Sequence, residues 1–110
     1  MIKIKYETKT VREGRQFKIS INGHADYAKK GSDIVCAGVS ALTIALINTL
    51  DALEDEGKVE SIMQIDVGVT EIECLSKIFT DIIEVESAFN TVLRGFKHIE
   101  KEYPKNVMVI

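Results

Sequence analysis

From Val35 to Leu53 the apolar residues Val35, Val39, Leu42, Leu46, Leu50 and Leu53 return at steps of three and four, whereas just upstream Phe17, Ile19 and Ile21 alternate with Lys18, Ser20 and Asn22. A step of two is a strand with one face on a core, and a step of three and four is a helix. The change of period at Asp33 therefore demands a sheet face and a helix face that cover one another. Ala37, Ala41, Ile44, Ala45 and Ile47 make much of the remaining helix circumference apolar as well, so this helix is expected to be buried on more than one side.

The rest of the chain supplies the missing layers. Ile2, Ile4 and Tyr6 alternate with Lys3, Lys5 and Glu7, and Arg12-Glu13-Gly14-Arg15 offers a reversal into the second strand; the two predict an antiparallel hairpin. Asp33 or Ser32 can cap the first helix, and Gly57 can stop it. Val59 to Asp66 and Val69 to Leu75 flank Val67-Gly68 as a second hairpin. Ile82, Val85, Phe89, Val92, Phe96, Ile99 and Tyr103 outline a second amphipathic helix that Pro104 ends, and Val107, Val109 and Ile110 can form a last strand. The order β-β-α-β-β-α-β predicts an α+β domain over residues 1–110, a mostly antiparallel five-stranded sheet with two helices packed on one face.

Composition narrows the chemistry. With 17 acidic against 14 basic residues, the formal net charge is -3, which argues against dedicated DNA or RNA binding. The two cysteines, Cys36 and Cys74, suit neither a disulfide framework nor a zinc site of closely spaced pairs, so a reducing cytoplasm fits best and no metal or other cofactor is implied. The apolar run from Ile34 to Leu53 is interrupted by Ser40, Thr43, Asn48, Thr49 and Asp51, and no membrane span is expected.

Reactive side chains meet in one stretch, Gly23 to Ala37. His24 closes the second strand and Cys36 opens the helix, twelve positions on. If Asp33 is the cap, Cys36 lies in the first turn, where free amides and the helix dipole favour a thiolate, the form that acts as nucleophile. His24 could then act as general acid and base, and first-turn amides, that of Cys36 among them, could hold an oxyanion. Ser40, one turn later, could contact the thiol or a substrate, and Asp33 could orient the histidine. Each residue also has a plainer part: Cys36 and Cys74 as small core residues, His24 as a strand end bonded to backbone, Asp33 as a cap alone, Ser40 bonded to its own helix, His98 exposed on the second helix, Lys29 and Lys30 at a solvated loop tip. The loop from Ala25 to Ser32, with Gly31, is a candidate gate over the pair.

Gly23-His24-Ala25, followed by Gly31-Ser32-Asp33-Ile34-Val35-Cys36-Ala37 and Ser40-Ala41-Leu42, closely resembles the ribosomal-processing cysteine protease family, called Prp, and the likeness extends over the whole chain. The resemblance implies a cytoplasmic bacterial thiol peptidase and homodimer whose catalytic dyad is His24 and Cys36. Its substrate would be large-subunit ribosomal protein twenty-seven, from which it removes a short N-terminal extension. Gly38 departs from the alanine that many members carry. Two rivals share the same residues: a noncatalytic ribosome-assembly factor that binds a ribosomal protein or RNA there, and a redox sensor in which Cys36 bridges to Cys74.

Overall fold

The computed structural model describes all residues, 1–110, in the order β1 (Ile2–Val11), β2 (Gly14–Gly23), α1 (Ile34–Asp55), β3 (Glu60–Asp66), β4 (Val69–Ser76), α2 (Phe79–Glu102) and β5 (Val107–Val109). The strands form one sheet in the order β3-β4-β2-β1-β5. Both expected hairpins are antiparallel, and β2 joins them by pairing with β4. The sheet is nevertheless mixed, because β5 runs parallel to β1, with Ile2 opposite Val107. A three-residue strand returning from α2 carries no sequence sign of its direction; the crossover through α2 decides it.

One face of the sheet is apolar, with Ile4, Phe17, Ile19, Ile72 and Cys74 all buried, and the other is charged, with Lys18 Nζ 3.2 Å from Glu73 Oε1 on the neighbouring strand. Both helices cover the apolar face. The α2 stripe of Val85, Phe89, Val92, Leu93 and Phe96 is buried there, and Phe89 stacks between Tyr6 and Phe17 at centroid distances of 5.3 and 5.4 Å. The helices touch closely where α2 carries Gly95, since a methyl group there would lie 2.7 Å from Leu42 Cδ1.

By length and hydropathy α1, with 22 residues, is apolar enough to cross a membrane. In this fold Val35, Val39, Leu46, Leu50 and Leu53 spend that hydrophobicity on the core instead. The outward side of α1 is still nearly uncharged along its first four turns, with Ile34, Ala37, Ala41, Ile44, Ala45, Asn48 and Thr49 exposed.

Candidate active site

Backbone constraints aim the end of β2. Gly23 closes the strand at φ +105°, and a Cβ there would fall 2.2 Å from the Met1 carbonyl oxygen, so only glycine fits beneath the start of β1. Its N–H donates to the Gly68 carbonyl in the β3–β4 turn at 2.8 Å. His24 therefore leaves the sheet directly beside that turn. Its ring lies over Gly68, where an added Cβ would be 2.9 Å from Nε2 and 3.1 Å from Cε1. Residues 24–33 then run as a loop to α1.

Asp33 is the N-cap of α1, and its carboxylate is fully occupied by backbone. Oδ1 accepts the Cys36 N–H at 2.9 Å, while Oδ2 accepts the N–H groups of Tyr27 at 3.0 Å and Ala28 at 3.3 Å. These amides, that of Cys36 foremost, hold the Asp33 carboxyl below the usual carboxylate range. His24 is not among its partners. The Ala37 N–H goes to the Asp33 carbonyl at 3.0 Å. Of the first-turn donors expected to face an oxyanion, the Cys36 amide is thus spent on the cap, because an aspartate at that position competes for it.

The loop is fastened over its first half rather than free from Ala25 to Ser32. Asn106, 81 residues on, donates from Nδ2 to the Ala25 carbonyl at 2.8 Å, and Tyr27 meets Tyr103 edge to face at 5.2 Å. Beyond the two Asp33 bonds, the stretch from Lys29 to Ser32 is closed by its own turn, the Ser32 N–H donating to the Lys29 carbonyl at 2.9 Å. Gly31, at φ +92° with nothing within 4 Å of a Cβ, lies there.

His24 and Cys36 open onto the same cleft of about 720 Å³. One wall is α1, through Cys36, Ser40, Ile44 and Ile47, and the other is the β3–β4 end, through Ile65, Val67 and Gly68. Cys36 is partly exposed there and His24 is exposed, an arrangement in which a thiol and an imidazole can act on one extended ligand. Asp33 and Ser40 also line the cleft. A second cleft at the far end of the β1–β2 hairpin, lined by Arg12, Arg15, Lys77 and Phe79, holds neither cysteine nor histidine. Cys74 lies elsewhere: its thiol, 3.4 Å from Ser61 Oγ, is pushed up to about 11 by burial, which suits a core residue. His98 is exposed on α2.

Gly68, Asn106 and Ile65 are the positions that sequence reasoning did not connect with the site. Val67-Gly68 carries a visible turn signal, but no local pattern says that a histidine 44 residues upstream rests on it.

Comparison with known proteins adds a family and a set of structures. The model of the family described as cysteine protease Prp matches residues 1–108. A ribosomal processing cysteine protease Prp of Staphylococcus aureus is 30% identical over 95 residues, 86% of either chain. The crystal structure of an essential ribosomal processing protease Prp from S. aureus with a covalently linked product peptide superposes with a TM-score of 0.77 at 26% identity, covering 99% of this chain and 97% of that one. A structure of the S. aureus protease with a substrate peptide gives 0.69 at 26% identity over 100% and 98%. SMU.848 from Streptococcus mutans gives 0.70 at 28% identity over 99% and 91%.

Proposed function

The chain belongs to the Prp family of cysteine proteases, and on that premise we propose that residues 1–110 act as one protease domain whose catalytic pair is Cys36 and His24, cutting the N-terminal extension from large-subunit ribosomal protein twenty-seven in the bacterial cytoplasm. The observation that carries the reading is the opening of both side chains onto one cleft beside Gly68. The Cys36 thiolate attacks the scissile carbonyl carbon, and the leaving amine takes its proton from His24. Water, deprotonated by His24, then releases the acyl chain from the thioester and restores the thiol. The S. aureus protein with its covalently linked product peptide fits a reaction that passes through a protein-bound peptide.

Asp33 works in this scheme through backbone. It sets the first turn of α1 and the start of the loop, and by occupying the Cys36 amide it leaves oxyanion stabilisation to donors other than that amide. Ser40 is offered as a substrate contact, because it lines the cleft one helical turn beyond Cys36. The reading requires no metal or other cofactor. A homodimer is part of the proposal, supported by the uncharged outer side of α1, a surface of the kind that partners cover; light scattering of the purified protein tests it.

The deciding experiment incubates purified protein with ribosomal protein twenty-seven carrying its extension and follows the N-terminus by mass spectrometry. Cleavage that disappears in Cys36→Ala and in His24→Ala supports the pair. Binding without cleavage moves the assignment to a noncatalytic assembly factor.

A further inference from the structure

The β3 strand is an edge of the sheet, and edge strands are ordinarily blunted by charge, proline or a covering element. This one carries Ile62 and Ile65 at 75% and 57% exposure, and Val67 in the turn that follows is 91% exposed. Ile65 is the informative member. Its partner across the ladder is Thr70, two positions from buried Ile72, which places Ile65 on the helix-covered face of the sheet. It is exposed there because the cleft separates it from α1.

The backbone of β3 has a defined free side. The Ser61 N–H points away from β4, since it donates to Glu54 Oε1 of α1 at 2.7 Å. In an extended strand alternate residues present their N–H and C=O groups to the same side, so those of Met63 and Ile65 also face away from β4. Glu54 closes the row at Ser61, and the row ends at Ile65, which lines the cleft beside Asp66 and Val67. An extended peptide lying there has Ile44 and Ile47 of α1 on its other flank.

Resting on the protease reading, we infer that the substrate segment on the acyl side of the scissile bond docks as an added strand on the free edge of β3, parallel to it, bonded to the backbone of Met63 and Ile65. The side of the bond follows from the chemistry. His24, against Gly68, must face the leaving nitrogen, so the acyl side runs the other way from Cys36, past Ser40 and Ile44. The direction follows too, because a peptide whose carboxyl end reaches Cys36 runs with β3, whose Asp66 end is at the cleft and whose Ser61 end is beside Glu54 near the end of α1. The available edge, about five residues at roughly 3.3 Å each, accommodates a segment of about four or five.

The test uses a synthetic peptide that spans the junction between the extension of ribosomal protein twenty-seven and the rest of that protein, N-methylated at one amide at a time on either side of the scissile bond, with two readouts. In cleavage, methylation at every second acyl-side amide is expected to lower kcat/KM about tenfold or more, the loss of one backbone bond plus the clash of the methyl group, with the intervening acyl-side amides within about twofold. In residue-resolved hydrogen exchange on Cys36→Ala with the unmodified peptide, the Met63 and Ile65 amides slow and Ser61, already held by Glu54, does not. Cleavage without the alternation, or alternation only on the leaving-group side, overturns the inference and leaves the protease reading intact. Protection of Met63 and Ile65 that depends on protein concentration and not on peptide also overturns it, since a second copy then occupies the edge. Protection by peptide without any cleavage by the wild-type protein upholds the docking edge and sinks the protease reading. Neither protection nor cleavage overturns both.

Discussion

Replacing Gly68 by alanine separates the placement of His24 from the stability of the fold. Gly68 has φ +73°, and Gly57, at the end of α1, has nearly the same φ, +75°. A side chain in that left-handed conformation costs about 1–2 kcal/mol, so both alanine variants start with the same backbone penalty. They differ in what the new methyl group meets. At Gly57 nothing lies within 4 Å, whereas at Gly68 the methyl falls 2.9 Å from His24 Nε2 and 3.1 Å from Cε1. Comfortable contact begins at about 3.5 Å, so the imidazole must recoil by roughly half an ångström. A misplacement of about 1 Å in a reacting group costs roughly 100-fold in rate, and half of that about tenfold. The expected result is a kcat/KM for the extended substrate about tenfold or more below wild type in Gly68→Ala and within about twofold of it in Gly57→Ala. Thermal unfolding should shift by similar amounts in both, roughly 4–8 °C for each kcal/mol. Equal activities in the two variants would refute the argument that the β3–β4 turn seats the histidine.

Three further outcomes test other parts of the structure. Gly38→Ala places its methyl 3.4 Å from Ile99 Cδ1, and relief of the glycine entropy cost in a helix should raise stability by roughly 0.5–1 kcal/mol in denaturant unfolding; a loss would mean that Ile99 cannot yield. Iodoacetamide at about pH 8 should add one carbamidomethyl group to the native protein, at partly exposed Cys36, and none to Cys36→Ala. Burial that pushes the Cys74 thiol up to about 11 protects the other, and Cys74 labelling by mass spectrometry of the native chain would contradict that. The Asp33 carboxyl is held low by the amides of Cys36, Ala28 and Tyr27, so its contribution is complete above the ordinary value of about 4 and is lost as pH falls through the lowered one. The stability difference between wild type and Asp33→Asn, followed by unfolding at a series of pH values, should be full near about pH 6 and shrink towards about pH 2; a difference that grows with acid would reverse the sign.

The elements were legible in the sequence because each has a period and an end. The alternation of Phe17, Ile19 and Ile21, the three-and-four spacing from Val35 to Leu53, and Asp33, Gly57 and Pro104 as stops depend on neighbours within a few residues. The types of the reactive residues were legible for the same reason, since a histidine after a strand and a cysteine in a first helical turn are local facts. Hydrogen-bond bookkeeping at that turn was not. The Asp33 cap was predictable, but its second oxygen taking the Tyr27 and Ala28 amides depends on the path of the loop.

Long-range placement was the business of the tertiary structure. The parallel seat of β5 on β1, the bond from Asn106 to the Ala25 carbonyl, the ring of His24 over Gly68 and the exposure of inward-facing Ile65 all join segments far apart in the chain. A one-dimensional pattern reports which face of an element is apolar; it does not report which other element arrives to cover that face, or leaves it open as a cleft. In this chain residue spacing set the strands, the helices and the chemical types at positions 24 and 36, and the packing of α1 against the sheet decided that both side chains open onto one cleft bordered by an unpaired strand edge.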